Sequence, residues 1–313
     1  MRDLIKVGCA ALVLSMGLAS SVAAEPYEDG LAAYKRGDYA TALQLWHPLA
    51  EQGDADVQTT LGVMYANGEG VRQDYAEAVR WYRRAAEQGF PAGEYNLALM
   101  YANGQGLPQD QTAAMTWFRK AADQGHASAQ YSLGLMYNKG QGVQRDYTEA
   151  MRWFRKAADQ GDAPAQYNLG VMYAKGQGVR RDYTEAMQWF RRAADEGDAS
   201  AQYNLGVMYA KGQGVRRDYI EAMRWYRKAA DQGDASAQYD VGLMYANGQG
   251  VSKDYVQAHK WFNLAAARFP ASGTESREKA VRNRDRVAAK MTAEQLAEAQ
   301  QLAREWKPAT RTP

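Results

Sequence analysis

Tryptophan recurs at one fixed interval along most of this chain. Six tryptophans follow each other at a spacing of 36 residues: Trp81, Trp117, Trp153, Trp189, Trp225 and Trp261. Two neighbouring 36-residue units, 145–180 and 181–216, differ at only four aligned positions. A single compact fold does not need such recurrence, whereas a stack of like supersecondary units does. The chain is therefore predicted to be a repeat protein in which each unit contacts its neighbours.

One unit has the pattern of two helices joined by tight connections. Asp146 stands where an N-cap acid belongs, with Glu149 three residues later as in a capping box. Apolar residues then recur at spacings of three and four, which makes one helical stripe: Tyr147, Ala150, Trp153, Ala157. Gly161 is a natural left-handed helix stop, and Asp162 begins a second helix that ends at the glycine loop 176–178. Each unit is thus predicted to be helix, turn, helix and glycine loop.

The residues of this unit resemble those of the Sel1-like repeat, a close relative of the tetratricopeptide repeat. The shared positions are Ala165, Leu169, Gly170, Tyr173, Gly176, Gly178, Val179, Asp182, Ala186, Trp189, Ala193, Ala194 and Gly197. Six full units fit the pattern over about residues 55–267. The resemblance implies an all-α fold, a right-handed α/α solenoid superhelix of helix-turn-helix repeats.

The ends of the chain depart from the repeat, and four regions are predicted. Residues 1–24 form a signal peptide, and residues 25–54 form an N-terminal capping hairpin that looks like a plain tetratricopeptide hairpin. Residues 55–270 hold the six Sel1-like repeats, and residues 271–313 form a C-terminal helical cap with helices over 276–290 and 292–306. End units of a solenoid need a polar outer face, which agrees with such caps.

The first residues have the features of a secretory signal. Arg2 and Lys6 precede an apolar run over 7–18, and Val22-Ala23-Ala24 is a plausible cleavage site. A membrane anchor is the alternative, but the run is shorter than the roughly 20 residues that span a bilayer. We expect cleavage after Ala24, a periplasmic or secreted protein, and no integral membrane segment in the mature chain. Cleavage would also remove Cys9, the only cysteine.

No pattern of catalytic or cofactor-binding residues stands out. A formal net charge of +2 lacks the basic excess of a dedicated nucleic-acid binder. His47, His126 and His259 lie in different repeats, without the four-residue spacing that favours a metal site, so a surface or capping role is expected for each. The acids recur with every unit and suit helix capping. We therefore predict a protein that is not an enzyme and that has no metal or cofactor.

Two repeated features have both a structural and a functional interpretation. The Gly-Gln-Gly-Val loops could suggest phosphate binding, but each follows a helix and lacks the lysine of a nucleotide loop, which favours a structural turn. The aromatic pair Trp153-Phe154 and its equivalents could bind sugars, but at helical spacing such residues are more often core.

The candidate binding surface follows from the resemblance to tetratricopeptide proteins, in which the first helix of each pair lines a concave face. The implied inward positions are Tyr95, Tyr131, Tyr167, Tyr203 and Tyr239; Asn96, Asn168, Asn204 and Asp240; and Lys139, Lys175 and Lys211. Such a face suits a protein or an extended, possibly acidic, peptide. The alternative is that these tyrosines and asparagines pack between repeats. The oligomeric state is not predicted.

The leading functional hypothesis is a protein-binding adaptor or regulator in the bacterial envelope or outside the cell. A β-lactam-binding or β-lactam-hydrolysing enzyme is one alternative, because some cysteine-rich members of the family are associated with that activity. Those members have a cysteine pair in each repeat, and this chain has none. Binding of cell-wall glycan is the other alternative.

Overall fold

The computed structural model describes residues 21–309, and this part of the chain folds into sixteen α-helices without a β-strand. The helices are α1 (Ser21–Lys35), α2 (Tyr39–Glu51), α3 (Ala55–Asn67), α4 (Tyr75–Glu87), α5 (Pro91–Asn103), α6 (Gln111–Asp123), α7 (Ala127–Lys139), α8 (Tyr147–Asp159), α9 (Ala163–Lys175), α10 (Tyr183–Asp195), α11 (Ala199–Lys211), α12 (Tyr219–Asp231), α13 (Ala235–Asn247), α14 (Tyr255–Arg268), α15 (Thr274–Ala288) and α16 (Ala293–Glu305). We call the odd-numbered helices A helices and the even-numbered ones B helices.

The helix boundaries lie where the capping signals predict them. Before α8, the Asp146 carboxylate accepts hydrogen bonds from the backbone amides of Thr148 and Glu149 at 2.8 and 3.0 Å. At the end of α9, Gly176 takes a left-handed conformation with φ 69° and donates its backbone N–H to the Met172 carbonyl. Both contacts satisfy backbone groups that a helix end leaves free.

The glycine loops are structural turns, as predicted. In the loop before α12, a Cβ on Gly214 would lie 2.6 Å from the carbonyl of Tyr183, which belongs to the preceding repeat. Gly214 also has φ 72°, a conformation that other residues rarely adopt. Glycine is therefore required both by the backbone angle and by the contact between neighbouring repeats.

Small residues let the two helices of a pair approach closely. A Cβ on Gly206 of α11 would lie 2.4 Å from the ring of Tyr226 in α12, and Gly170 stands in the same relation to Phe190 at 2.6 Å. Leu205 is fully buried beside this contact. Gly170 and Gly206 thus mark a close approach between the two helices of a pair.

The recurrent tryptophans connect each repeat to the one before it. Trp225 of α12 is 4% exposed and packs in one cluster with Leu205 and Met208 of its own pair and with Phe190 of the preceding pair. The Arg191 guanidinium lies 4.6 Å from its ring, so a cation–π contact adds to the packing. A large ring at this position therefore fills the gap between two repeats, as the 36-residue spacing predicts.

The chain divides into two compact units, the first ending at Ala157 and the second beginning at Ala158. In the described part of the first unit, one cluster surrounds Trp46 and Leu61, and a second includes Leu133 and Trp153. The second unit has its own clusters, one of them centred on Trp261. Each unit thus contains helix pairs that pack in sequence order.

The two ends carry short hairpins. At the N-terminal end, α1 and α2 are joined by a short turn at Gly37 and not by the longer loop with two glycines, and Asp38 is the cap of α2. At the C-terminal end, α15 and α16 cover the last repeat, and Thr292 begins α16 with a complete capping box. Trp306 packs edge-on against Trp261, with ring centroids 6.4 Å apart.

The predicted signal sequence falls mainly on residues 1–20, which lie outside the described residues, and the cleavage prediction stays a prediction. From residue 21 to residue 309, no helix combines the length and apolar character needed to cross a membrane.

Candidate functional site

The five candidate tyrosines lie at one position of successive A helices, and we call them the tyrosine ladder. Each ring is partly buried and packs at a tilt on the aromatic ring of the following B helix, with centroids 5.6 to 5.8 Å apart. The ladder consists of Tyr95, Tyr131, Tyr167, Tyr203 and Tyr239. Each tyrosine thus belongs to the edge of the core and also keeps part of its ring accessible.

The tyrosine hydroxyls of residues 158–309 pair with a polar side chain of the next helix pair. Tyr167 is hydrogen-bonded to Asn204, and Tyr203 to Asp240. Tyr239 accepts a hydrogen bond of 2.8 Å from Asn283, which belongs to the cap helix α15. The cap therefore supplies the polar partner that another repeat would otherwise supply.

Asp240 differs from the asparagine partners of the other tyrosines because it carries a carboxylate. Burial raises its pKa to about 6, and the nearby charge of Asp234 adds to that increase, while the Tyr203 hydrogen bond and Lys211 oppose it. Burial and the neighbouring Asp240 in turn raise the pKa of the Tyr203 hydroxyl, so Tyr203 stays protonated and donates to the carboxylate. The site therefore includes a carboxyl group whose pKa lies well above its usual range.

The candidate amide side chains differ in accessibility. Asn168 and Asn204 are partly exposed, and each donates from Nδ2 to a carbonyl one turn earlier in its own helix, to Pro164 at 2.8 Å and to Ser200 at 2.9 Å. Asn96 is only 6% exposed. The amide oxygens of Asn168 and Asn204 are better placed to meet a partner than Asn96 is.

The candidate lysines lie apart from the tyrosines. Lys139, Lys175 and Lys211 are exposed and are the last residues of their A helices, where the helix dipole favours a cation. Eight residues separate Tyr167 from Lys175, which is roughly 12 Å along a helix. The structure thus places the tyrosines along the A helices and the lysines at the ends of these helices, beside the glycine loops.

The aromatic pairs of the B helices are core residues. Trp153 and Phe154 are fully buried, so the interpretation of these pairs as core is confirmed. Trp153 and Phe154 therefore do not present rings that could stack on a sugar, whereas the equivalent Trp117 is partly exposed.

The histidines have three different environments. His47 is exposed, and His126 caps α7 by accepting a hydrogen bond from the Ala129 amide at 3.3 Å, as the predicted surface and capping roles require. The same prediction is wrong for His259, which is 4% exposed. Burial and the nearby Arg284 of α15 lower its pKa, which favours a neutral core residue. Within residues 21–309, no group of three or more potential metal ligands comes together.

Comparisons with known proteins agree with this architecture. The sequence model of the Sel1 repeat matches residues 21–54, 55–90, 91–126, 127–162, 163–198, 199–234 and 235–268. The first of these seven matches is the hairpin expected to be a plain tetratricopeptide hairpin. A search of the curated proteins gave no match.

Several solved structures are similar to this chain. A Sel1 repeat protein from Oxalobacter formigenes is 36% identical, with 77% of this chain and 99% of that chain covered and a TM-score of 0.71. A protective antigen with an SLR fold from uropathogenic Escherichia coli, c5321, is 28% identical, with 91% and 84% covered and a TM-score of 0.49. Immunity protein Pa5087 from Pseudomonas aeruginosa is 22% identical, with 68% and 81% covered and a TM-score of 0.42.

These findings confirm the predicted fold class, an all-α solenoid of helix-turn-helix repeats. Sel1 repeats commonly serve as protein-interaction modules, and proteins built from them are generally scaffolds without enzymatic activity. Since the family model covers most of the sequence and the structure shows the expected helix pairs, the chain belongs to the Sel1 repeat family.

Proposed function

We propose that this protein is an adaptor or regulator that binds a protein or an extended peptide through the A-helix face, in the periplasm or outside the cell. The observation that carries the proposal is the tyrosine ladder. It presents partly exposed rings at one position of successive A helices, beside polar groups that include Asn168, Asn204 and Asp240. Tyrosine provides contact area at a small entropic cost, and amide or carboxylate groups can bond a peptide backbone.

The packing of the ladder supports its use as a rigid platform. The Tyr203 ring lies 5.7 Å from the Tyr226 ring, and its hydroxyl is held by Asp240. A side chain that is already ordered loses little conformational entropy when a partner binds. The alternative, that the ladder only packs repeats together, shares these contacts, so the two have to be separated by experiment.

Site-specific photocrosslinking separates them. We would place a photoreactive residue at Tyr167 or Tyr203 on the A-helix face, and at Arg152 or Arg224 on the B helices as matched controls. Crosslinks to one protein of the envelope from the first pair, and none from the second pair, are expected. Crosslinks from the control positions alone would assign binding to the B-helix face and would refute the proposed site.

A milder substitution then tests the contact itself. Tyr203→Phe keeps the ring that packs on Tyr226 and removes only the hydroxyl, so the fold should persist. We expect the captured partner to bind more weakly to Tyr203→Ala than to Tyr203→Phe, because the ring provides most of the contact area. Hydrolysis of nitrocefin by the purified protein would instead favour the β-lactamase alternative.

The proposed location rests on the sequence of the first residues. Mass spectrometry of envelope and culture-medium fractions should find Glu25 as the first residue of the protein. A soluble cytoplasmic protein that retains Met1 would contradict the proposed export.

A further inference from the structure

Two edges can be distinguished in residues 158–309. Consecutive helices are antiparallel, so the glycine loops lie at one edge, where Gly214 and Gly250 contact Tyr183 and Tyr219 of the preceding repeats. The short turns lie at the other edge, where Gln232 Nε2 donates to the Gly197 carbonyl at 3.1 Å. We call these the loop edge (175–182, 211–218 and 247–254) and the turn edge (159–162, 195–198 and 231–234).

The two edges carry opposite charge. The loop edge has seven basic residues, Lys175, Arg180, Arg181, Lys211, Arg216, Arg217 and Lys253, and all seven are exposed. Its three acids, Asp182, Asp218 and Asp254, accept hydrogen bonds from the first backbone amides of their own B helices. The turn edge has seven acids and no basic residue: Asp159, Asp162, Asp195, Glu196, Asp198, Asp231 and Asp234.

The charge on the loop edge is not a general property of the repeat. The corresponding loops of the first unit, 67–74, 103–110 and 139–146, together contain three basic and four acidic residues. Their glycines have the same backbone conformation, since Gly106 and Gly214 have φ 71° and 72°. Packing of the loops therefore does not require the arginines.

The loop edge has four arginines, and two of them are held in place by aromatic rings without being neutralised. The guanidinium of Arg181 lies 5.4 Å from the Tyr183 ring, and that of Arg217 lies 5.5 Å from the Tyr219 ring. Within the described part of the chain, none of the four has a carboxylate at ion-pair distance. Arg180 and Arg181 also line an open depression of about 440 Å³.

An exposed apolar side chain follows the second arginine pair by three residues. Ile220 in the first turn of α12 is 58% exposed, and among the described residues it is the large hydrophobic side chain that is most open to solvent. The equivalent positions of the two preceding repeats hold Thr148 and Thr184. An exposed isoleucine close in sequence to unpaired guanidinium groups suits a polypeptide partner, which can offer both apolar and acidic side chains, better than a nucleic acid.

We infer that the loop edge at residues 175–182 and 211–218, together with Ile220, docks an acidic segment of the partner protein, with carboxylates on the arginine pairs and one apolar residue on Ile220. The inference deepens the proposed function and rests on it. A guanidinium binds a carboxylate through two parallel hydrogen bonds, so each arginine pair can hold a pair of acids. Packed helices lie on the order of 10 Å apart, and an extended chain rises about 3.3 Å per residue. Acid pairs would therefore recur about every third residue of the segment.

The probe is a fluorescein-labelled peptide of about eight Glu-Glu-Gly triplets, measured by fluorescence anisotropy at several salt concentrations. The test variant combines Arg180→Gln, Arg181→Gln, Arg216→Gln and Arg217→Gln. Glutamine already stands at the equivalent positions Gln144, Gln73 and Gln109 of this chain, so the variant should fold. The matched control removes four exposed arginines elsewhere, by Arg80→Gln, Arg152→Gln, Arg224→Gln and Arg277→Gln.

We expect the loop-edge variant to bind the peptide at least about tenfold more weakly, and the control to bind like the unchanged protein. A second peptide with one leucine in place of a glycine should bind severalfold more tightly than the first. The Ile220→Thr substitution should abolish that gain.

Several outcomes would overturn the inference. If both variants lost the same affinity for the peptide, the peptide would be attracted to the net charge of the protein and not to the loop edge. Stronger binding of a single-stranded oligonucleotide, or of vesicles with phosphatidylglycerol, would assign the edge to another class of ligand. If the protein self-associates and the loop-edge variant does not, the occupant of the loop edge would be a second copy of this chain. None of these outcomes would change the crosslinking result at Tyr167 and Tyr203, so the proposed function is tested separately.

Discussion

A substitution of Asp240 tests whether its buried charge lowers the stability of the folded protein. The two preceding repeats have asparagine at this position, Asn168 and Asn204. Replacing Asp240 by asparagine keeps an oxygen that accepts from the Tyr203 hydroxyl, and adds an amide that can donate to the Ser236 carbonyl as Asn204 donates to Ser200. The change therefore removes a buried charge without removing a contact.

The size of the effect follows from the pKa. An aspartate in an unfolded chain has a pKa near 3.9, whereas the Asp240 carboxyl has a pKa of about 6 in the folded protein. The folded state thus binds the proton more tightly, and the free energy of unfolding falls as the pH rises from about 4 through 6. Two pKa units correspond to about 3 kcal/mol, and partial solvent exposure reduces this to about 1–2 kcal/mol. The penalty is complete above about pH 7 and absent below about pH 4.

Thermal unfolding at several pH values measures the effect. Asp240→Asn should raise the melting temperature by about 2–6 °C at pH 8 and leave it unchanged at pH 4. Asn204→Asp is the matched control, since it places a carboxylate beside Tyr167 and should lower stability at pH 8 only. A difference that does not vary with pH, or an Asp240→Asn protein that is less stable at pH 8, would refute the reasoning.

Three further predictions concern packing. Trp225→Ala should lower the free energy of unfolding by roughly 3–5 kcal/mol. Hydrogen exchange should then show that protection is lost in the adjacent repeats and kept at the chain ends, and a uniform loss of protection would contradict one-dimensional coupling between repeats. Gly206→Ala, whose new Cβ would overlap the Tyr226 ring, should cost about 1–3 kcal/mol in urea denaturation, whereas the exposed helix substitution Ser200→Ala should be neutral within about 0.5 kcal/mol. Trp306→Ala should reduce exchange protection mainly in α16, and an effect spread over all repeats would count against a local cap.

The helix pairs could be predicted from the sequence because their determinants are local or strictly periodic. Asp146 caps the next amides of its own chain, and Gly176 ends a helix through its own backbone angle. Trp225 is informative because the same gap between repeats recurs every 36 residues. Each of these signals is repeated several times, so the pattern itself shows which positions the fold constrains.

The candidate site was less accessible to sequence reasoning because it depends on contacts between repeats. The sequence does not show that the Tyr203 hydroxyl is hydrogen-bonded to Asp240, and the pKa of Asp240 depends on burial as well as on this contact. His259 was expected at the surface or at a cap because the helix face that α15 covers cannot be identified before the packing of the cap is known. Residues whose environment is set by a neighbouring element thus escape an analysis of one unit.

The loop edge shows where the repeats depart from what packing requires. In the first unit, Gln73 and Gln109 donate from Nε2 to the carbonyls of Ala66 and Ala102 near the ends of the preceding A helices, each at 2.7 Å. Arg181 and Arg217 occupy the same position of later repeats, and in the described structure their side chains stack on tyrosines without a hydrogen bond.

A glutamine that satisfies a helix carbonyl is therefore replaced by a cation that leaves this carbonyl to other donors or to water. The helix ends are unchanged, since Gly104 and Gly212 have the same φ of 68°. The exchange thus replaces a hydrogen bond to a helix carbonyl by a weak cation–π contact at an exposed site, and it adds exposed charge that repels its neighbours along the edge. Substituting Arg181 and Arg217 by glutamine should accordingly leave the protein equally or more stable in thermal unfolding. A clear loss of stability would show that the guanidinium groups support the fold, and would remove the main reason to assign them to a partner.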